Sequence, residues 1–409
     1  MDLEFVRAQF PTLADDPTGV FCSNAGGSFV AQQVIELLNH YNTHHRVQPY
    51  YEFSPSREAG QAMDTAKTGW AAALNVAPEE LTIGPSTSMN SYVMAQALGA
   101  HWGPGDEIVI SQQDHEANIG AWERIAEQRG ATVRWWTIDP ESGLLDPDQL
   151  RDLLNENTRW VFFTHCSNIV GTINPVKDIV ELVRSNSEAR VGVDGVSYAP
   201  HHIANLAELG VDLYMFSLYK VYGPHQGLLY VNQQLSDELS GQGHYFNREA
   251  LDKRYNPAGP QHAQVAACQG VLDYFDALHS HHGGSLSDAP VEKMAALHEM
   301  IAEQETLLAQ SLLDCLLRSG QARVIGKTHC EDGDRAPTIA FKPLRKSSAQ
   351  LAAELQAAGI GTENGDFYAP RAIEALGIDP ADGVVRISLL HYNTLEDAGK
   401  ITDALQRYL

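Results

Sequence analysis

Five short apolar runs set the architecture of this chain: Glu107-Ile-Val-Ile110, Thr132-Val-Arg-Trp-Trp136, Arg159-Trp-Val-Phe-Phe163, Val191-Gly-Val193 and Leu213-Tyr-Met-Phe216. Helical patterns over 117–128, 146–154 and 176–183 separate them. Short apolar runs alternating with helices read as buried strands of a mostly parallel sheet joined by right-handed crossovers. Ligands of such sheets bind beyond the carboxyl ends of the strands. After Gly283-Gly-Ser285, a long helical stretch over 289–319 leads into a smaller region. Strands at Thr338-Ile-Ala-Phe341 and Val384-Val-Arg-Ile387, with helices over 347–358 and 395–408, give that region an α+β character. The expected organisation is an arm at 1–20, a large α/β domain at 21–285 and a small C-terminal domain at 286–409, with the arm either separate or packed with the small domain. No internal repeat or low-complexity tract interrupts it.

Two of the strand ends carry groups that are costly to bury. Lys220 follows the run Asp212-Leu-Tyr-Met-Phe-Ser217-Leu-Tyr219, just before Gly223 and a second apolar run, Leu228-Leu-Tyr-Val231. A lysine there is either a surface residue after a core strand or an amine that holds pyridoxal phosphate as a Schiff base. Asp194 ends the run Ala189-Arg-Val-Gly-Val-Asp194-Gly195. It is either a turn residue, since Asp-Gly is a turn signal, or the partner of a pyridinium nitrogen. The pattern of strand–Asp followed by strand–Ser–x–x–Lys favours the cofactor reading of both.

A phosphate needs its own cradle. Thr82-Ile-Gly84-Pro85-Ser86-Thr87-Ser88 places three hydroxyls before a helical stretch over 89–98. Hydroxyls and free amides at a helix start hold an anion, or simply cap the helix. With Lys220 and Asp194 in the same chain, Thr87 is the first candidate for the phosphate, with Ser86 and Ser217 beside it.

With these motifs the chain resembles the class V aminotransferases, pyridoxal phosphate enzymes of fold type I that include the cysteine desulfurases. The resemblance extends from Phe21-Cys-Ser-Asn24-Ala-Gly-Gly27 to Val385-Arg386-Ile-Ser388-Leu-Leu-His-Tyr392-Asn393-Thr394, and is especially close at Thr164-His-Cys-Ser167-Asn168-Ile-Val-Gly171. It implies a large domain with a mostly parallel, seven-stranded sheet and a small α+β C-terminal domain. It also implies Lys220 as the Schiff-base lysine, Asp194 as the pyridinium partner, Asn168 at the phenolic oxygen and His115 stacked on the ring. Arg386 becomes the anchor of the substrate carboxylate, its fork matching two oxygens at once; its bland reading is a pair with Asp382. Asn24 is a second substrate contact, and a homodimer with sites near the subunit boundary is expected. Aromatic residues of the segment 42–53, including Tyr50 and Tyr51, either reach the entrance of a site or pack an arm.

Three positions depart from the family pattern. Tyr219 replaces the histidine that desulfurases usually carry before the lysine, and keeps a hydroxyl for the phosphate. Ser197 stands where relatives commonly place glutamine. In Asn256-Pro-Ala-Gly259-Pro260 a proline occupies the place of a threonine that relatives use on a partner's phosphate.

The reaction is less legible. Desulfurases attack sulfur with a cysteine on a small-domain loop, and here that loop reads Gly359-Ile-Gly-Thr-Glu-Asn-Gly365-Asp366-Phe367-Tyr368-Ala-Pro370. It contains no cysteine. Phe367 and Tyr368 either shape a pocket or pack the loop. β-Elimination of the C–S lyase kind leads, with transamination and epimerisation as alternatives; the last needs a second acid such as His115, Tyr50 or Tyr51. A cofactor-binding protein without turnover is the remaining, non-enzymatic reading.

Composition narrows the setting. The formal charge of −24 disfavours a nucleic-acid surface. No apolar stretch is long enough to span a membrane, and the first residues lack a signal-peptide pattern. The five cysteines are scattered, without metal-site spacing, which suits a reducing, cytoplasmic setting and a chain that carries no metal.

Overall fold

The computed structural model describes residues 1–14, 19–247, 250, 253–330 and 333–409. Its strands, in chain order, are β1 (Val20–Phe21), β2 (Leu81–Gly84), β3 (Glu107–Ser111), β4 (Thr132–Trp136), β5 (Thr158–Thr164), β6 (Arg190–Asp194), β7 (Leu213–Ser217), β8 (Gly227–Val231), β9 (Ala322–Val324), β10 (Thr338–Pro343), β11 (Ile360–Gly361), β12 (Glu363–Gly365) and β13 (Val384–Ser388). Seven of them form the large sheet in the order β2-β8-β7-β6-β5-β3-β4. The strands from β7 to β4 run parallel, while β8 is antiparallel to both β7 and β2. The fold is therefore the expected one of fold type I, with an antiparallel edge.

Alternation along each strand loads both faces of this sheet. On β5, Val161 and Phe163 join one core with Val191, Val193, Tyr214 and Phe216, while Trp160 and Phe162 join another with Ile108, Ile110 and Met215. Period-2 geometry sends successive side chains to opposite faces, so a strand covered by helices on both sides must be apolar throughout. The helices Gln32–His44, Ser54–Ala73 and Gln269–His281 cover the first face; Thr87–Gly99 and Gly120–Arg129 cover the second. Phe162 lies between Trp122 and Trp160, with ring centroids 4.3 and 5.1 Å away and the planes nearly parallel.

The 30-residue helix Pro290–Ser319 leads to the small sheet, ordered β12-β13-β10-β9 and antiparallel throughout. β1 belongs there structurally, whereas Val6 and Phe10 ahead of it pack in the core of the large sheet. β1 pairs in parallel with β11, and Val20 and Cys22 pack in the small-domain core with Leu312 and Ile387. The expected boundary at residue 21 thus falls inside a strand of the small unit, because an apolar pair of residues so near the start finds its backbone partners 340 residues later. Residues 15–18 of the expected arm lie outside the described residues.

Candidate functional site

The carboxyl ends of β5, β6 and β7 lie side by side, and each delivers a polar residue to one cavity. Lys220, Asp194, His115, Asn168, Thr87, Ser217, Ser197 and Tyr219 all line it. Eight of the expected site residues therefore meet around one space, although they span more than 130 positions of sequence.

Lys220 ends a single 3-10 turn, Leu218–Lys220, that continues directly from β7. It is 6% exposed and Asp194 is 5% exposed. Burial lowers the lysine's pKa, and the positive charge of Arg386 pushes the same way; Asp194 opposes them. Burial raises Asp194, while the backbone N–H of Val196, donating to Oδ1 at 2.7 Å, and the charge of Lys220 hold it down. Desolvation always disfavours the charged form, so each group of this buried pair depends on the other to stay ionised. A neutral amine is the form that attacks an aldehyde. Covalent capture of pyridoxal phosphate by the cofactor-free protein should accordingly rise with pH and reach half its maximum on the acid side of about 10.4, the value of free lysine. Stopped-flow absorbance across a pH series reads this, and a midpoint at or above that value would contradict it.

The hydroxyl cradle forms where the helix Thr87–Gly99 begins. Thr87 Oγ1 and Ser217 Oγ share a 2.7 Å hydrogen bond, joining the helix start to the end of β7. Ser86 instead caps the helix, its Oγ accepting the Met89 N–H at 3.2 Å, and it is absent from the cavity wall, whereas Ser88 is present. A Cβ on Gly227 would sit 2.4 Å from Ser86 C and Thr87 N. Only a glycine lets β8 approach the helix start so closely. Gly227→Ala should cost about 1–3 kcal/mol of stability by overpacking and weaken retention of a phosphate-bearing ligand. Chemical denaturation and phosphate-ester titration measure both effects.

His115 follows β3 and is anchored through its neighbour. Asp114 is fully buried and accepts hydrogen bonds from Asn118 Nδ2 at 2.6 Å, from the Thr164 N–H at 3.1 Å and from Ser111 Oγ. Burial pushes the Asp114 carboxyl up to about 8. In the sequence, Asp114 is marked only as a carboxylate three residues beyond an apolar strand. His115 Nδ1 accepts the Ala117 N–H at 3.0 Å. Burial, then the charges of Lys220 and Arg386, lowers its pKa to about 4, so it is neutral around pH 7.

Arg386 lies in β13, 3% exposed, outside that cavity wall. One Nη donates to Asn168 O at 3.1 Å, the guanidinium carbon lies 3.7 Å from the centroid of the Phe367 ring, and among the described residues the buried Nε has no hydrogen-bond partner. The alternative pair with Asp382 is not formed, because Asp382 is bonded to Lys342. Asn24 is 2% exposed and its amide is engaged within the protein. Its Nδ2 donates to Ser388 O at 2.9 Å and to Asn393 Oδ1 at 3.3 Å, and its Oδ1 accepts from the Tyr392 hydroxyl. It lines a second cavity of about 240 Å³ with Ser197, Ser388 and Lys220, so the lysine stands between the two spaces. Tyr50 and Pro260 line a separate groove.

A buried amine facing a buried carboxylate, next to a helix start rich in hydroxyls and a buried guanidinium, can hold a phosphate-bearing aldehyde and a carboxylate-bearing amine together. Among the described residues there is no cluster of metal-ligating side chains, and no helix is long and apolar enough to cross a membrane.

Known proteins share this sequence pattern and fold. The aminotransferase class-V family model matches residues 20–401. The aminotransferase-like protein FGM3 of Gibberella zeae is 36% identical over 415 residues, covering 100% of this chain and 98% of that protein. The cysteine desulfurase-like protein ustD of Aspergillus flavus is 31% identical, covering 97% of this chain and 88% of that one. Among solved structures, the cysteine desulfurase of Thermococcus onnurineus superposes with a TM-score of 0.86 at 20% identity, covering 99% of this chain and 97% of that one. The chain belongs to the class-V aminotransferase family and is a pyridoxal phosphate-dependent enzyme.

Proposed function

We propose that Lys220 holds pyridoxal phosphate covalently and that the enzyme acts on an amino acid by β-elimination, releasing a thiol or a similar leaving group. The cavity fits the cofactor on three counts: an amine kept partly neutral by burial, a carboxylate buried beside it and a hydroxyl cradle at a helix start. Bound there, pyridoxal phosphate supplies the electron sink for bonds broken at the substrate's α-carbon. Thr87, Ser217 and Tyr219 hold the phosphate, with Ser86 capping the helix that presents it. Asn168 and Ser197 would hold the phenolic oxygen, Asp194 would keep a proton at the ring nitrogen, and the neutral His115 would hold the ring from one side. Arg386 receives the substrate carboxylate, and Asn24 orders the turn opposite it. Lys220 Nζ, once exchanged for the substrate amine, takes the α-proton as the bond from Cβ to the leaving group breaks. Hydrolysis of the released enamine then yields a keto acid and ammonia.

One observation favours this reaction over persulfide transfer. All five cysteines are buried, and burial raises every one of their thiol pKa values, to about 12 for Cys22 and Cys166. No thiolate nucleophile is presented, and the 359–370 loop carries none. Epimerisation gains little support. His115 is uncharged near neutrality and cannot give up a proton from its ring cation there, and Tyr50, whose hydroxyl donates to Asp64 at 3.0 Å, lines another groove.

The test is a product assay with amino acids supplied singly. Thioether amino acids should give keto acid, ammonia and thiol in equal amounts, and disulfide amino acids keto acid, ammonia and a persulfide, before and after iodoacetamide. Keto acid formed only with an added amino acceptor would establish transamination, and loss of activity on alkylation would restore a cysteine to the mechanism. The same reading includes a homodimer in a reducing, cytoplasmic setting. Exposed aromatics at Tyr50, Tyr51, Phe53, Tyr245 and Phe246 support a subunit contact.

A further inference from the structure

Phe367 and Tyr368 are consecutive non-glycine residues with φ of +49° and +60°. L side chains rarely adopt that region, and two in a row persist only where the surroundings impose it. Here the surroundings are explicit. Asn168 Nδ2 donates to Phe367 O at 2.9 Å, the Glu116 N–H donates to Tyr368 O at 2.8 Å and the Tyr368 N–H donates to Asp366 Oδ1 at 2.9 Å. Three residues on, Arg371 pairs with Glu116 at 2.8 Å and with Glu123 at 2.6 Å, fastening this small-domain segment to the large domain.

The strained turn places the Phe367 ring against the guanidinium of Arg386, 3.7 Å from carbon to centroid. Asn168 closes a triangle: its carbonyl accepts from Arg386 and its amide donates to Phe367. One face of the guanidinium is thus covered by the ring and one edge is tied to a carbonyl. The edge carrying Nε is buried and unpartnered, and a Cβ on Gly26, in the turn opposite, would lie 4.0 Å from one Nη. A buried guanidinium donor without a partner is costly and calls for an acceptor.

We propose that Phe367 is a positioning residue for substrate recognition: its ring holds the Arg386 guanidinium so that the Nε edge alone receives an α-carboxylate. The inference rests on Arg386 being the carboxylate anchor. It assigns to an aromatic side chain the in-plane aim of a fork that would otherwise rotate about its own stem. An aromatic ring at 367 then sets affinity for the carboxylate, whereas the rest of the substrate is held by other residues.

Isothermal titration of the cofactor-loaded protein with L-alanine and with L-alaninamide, which lacks the carboxylate, tests this. Phe367→Leu should bind L-alanine about tenfold more weakly, the loss expected when a desolvated cation–π contact is removed, and L-alaninamide as the wild type does. Phe367→Tyr should restore L-alanine binding, and in turnover Phe367→Leu should raise KM more than it lowers kcat. Unchanged L-alanine affinity in Phe367→Leu, equal losses for both ligands, or failure of Phe367→Tyr to rescue would each overturn the proposal. Arg386→Gln separates the two levels: if it retains L-alanine affinity, the anchor reading itself falls; if it loses affinity while Phe367→Leu does not, only the role of Phe367 falls.

Discussion

Lys220→Ala should abolish turnover, by at least about a thousandfold, which lies within the contribution of a positioned general base alone. The side chain has two duties in the proposed reaction. It fastens the aldehyde of the cofactor, and after exchange with substrate it removes the α-proton. Its burial at the end of β7 and the neighbouring charge of Arg386 lower its proton affinity, so neither duty can pass to an ordinary surface lysine. Borohydride reduction followed by mass spectrometry should find the cofactor mass on the peptide carrying residue 220 in the wild type and nowhere in the variant. Residual turnover within tenfold of wild type, or an adduct on another lysine, would remove Lys220 from the mechanism.

Asp194→Asn should lower turnover by about 10²–10⁴, the range spanned by a side chain that places a proton in the transition state. Asparagine keeps the volume and can still accept the Val196 N–H that now reaches Oδ1. It cannot keep a proton on a ring nitrogen. The fold and the linkage to Lys220 should therefore survive while kcat collapses. A melting temperature within a few degrees, an intact visible band and a small kcat are the expected combination. A variant that keeps kcat within tenfold would show that ring charge is not set by this carboxylate.

Much of the architecture was legible because strands of a doubly covered sheet must be apolar on both faces. The runs at 107–110, 132–136, 159–163, 191–193 and 213–216 appear as β3 to β7 with no end shifted by more than one residue. β2 was less visible, since Leu81–Gly84 reads as the approach to a Gly-Pro turn and becomes a strand only by pairing with β8. β1, β9, β11 and β12 are two or three residues long and have no period of their own. The helix expected from 117 begins at Gly120, after a separate turn over Glu116–Asn118 that His115 caps through its ring. Helical periodicity carries no mark for such a junction.

The site divides the same way. Lys220 and Asp194 stood out because a charge at the end of an apolar run requires a reason, which is a local feature of the chain. Arg386 and Asn168 needed the family resemblance. The stacking of Phe367 on Arg386 and the anchoring of His115 through Asp114 depend on contacts between residues up to 199 positions apart, such as Asn168 to Phe367.

By itself, then, the order of residues determined a parallel sheet, the two charged strand ends and the absence of a cysteine on the 359–370 loop, since polarity and chain spacing are local properties. Only tertiary structure decided which edge of the Arg386 guanidinium is free, which hydroxyls face the cavity and how protonated each buried group is. Those follow from desolvation and from neighbours brought together in space, and neither quantity exists until the chain has closed around them.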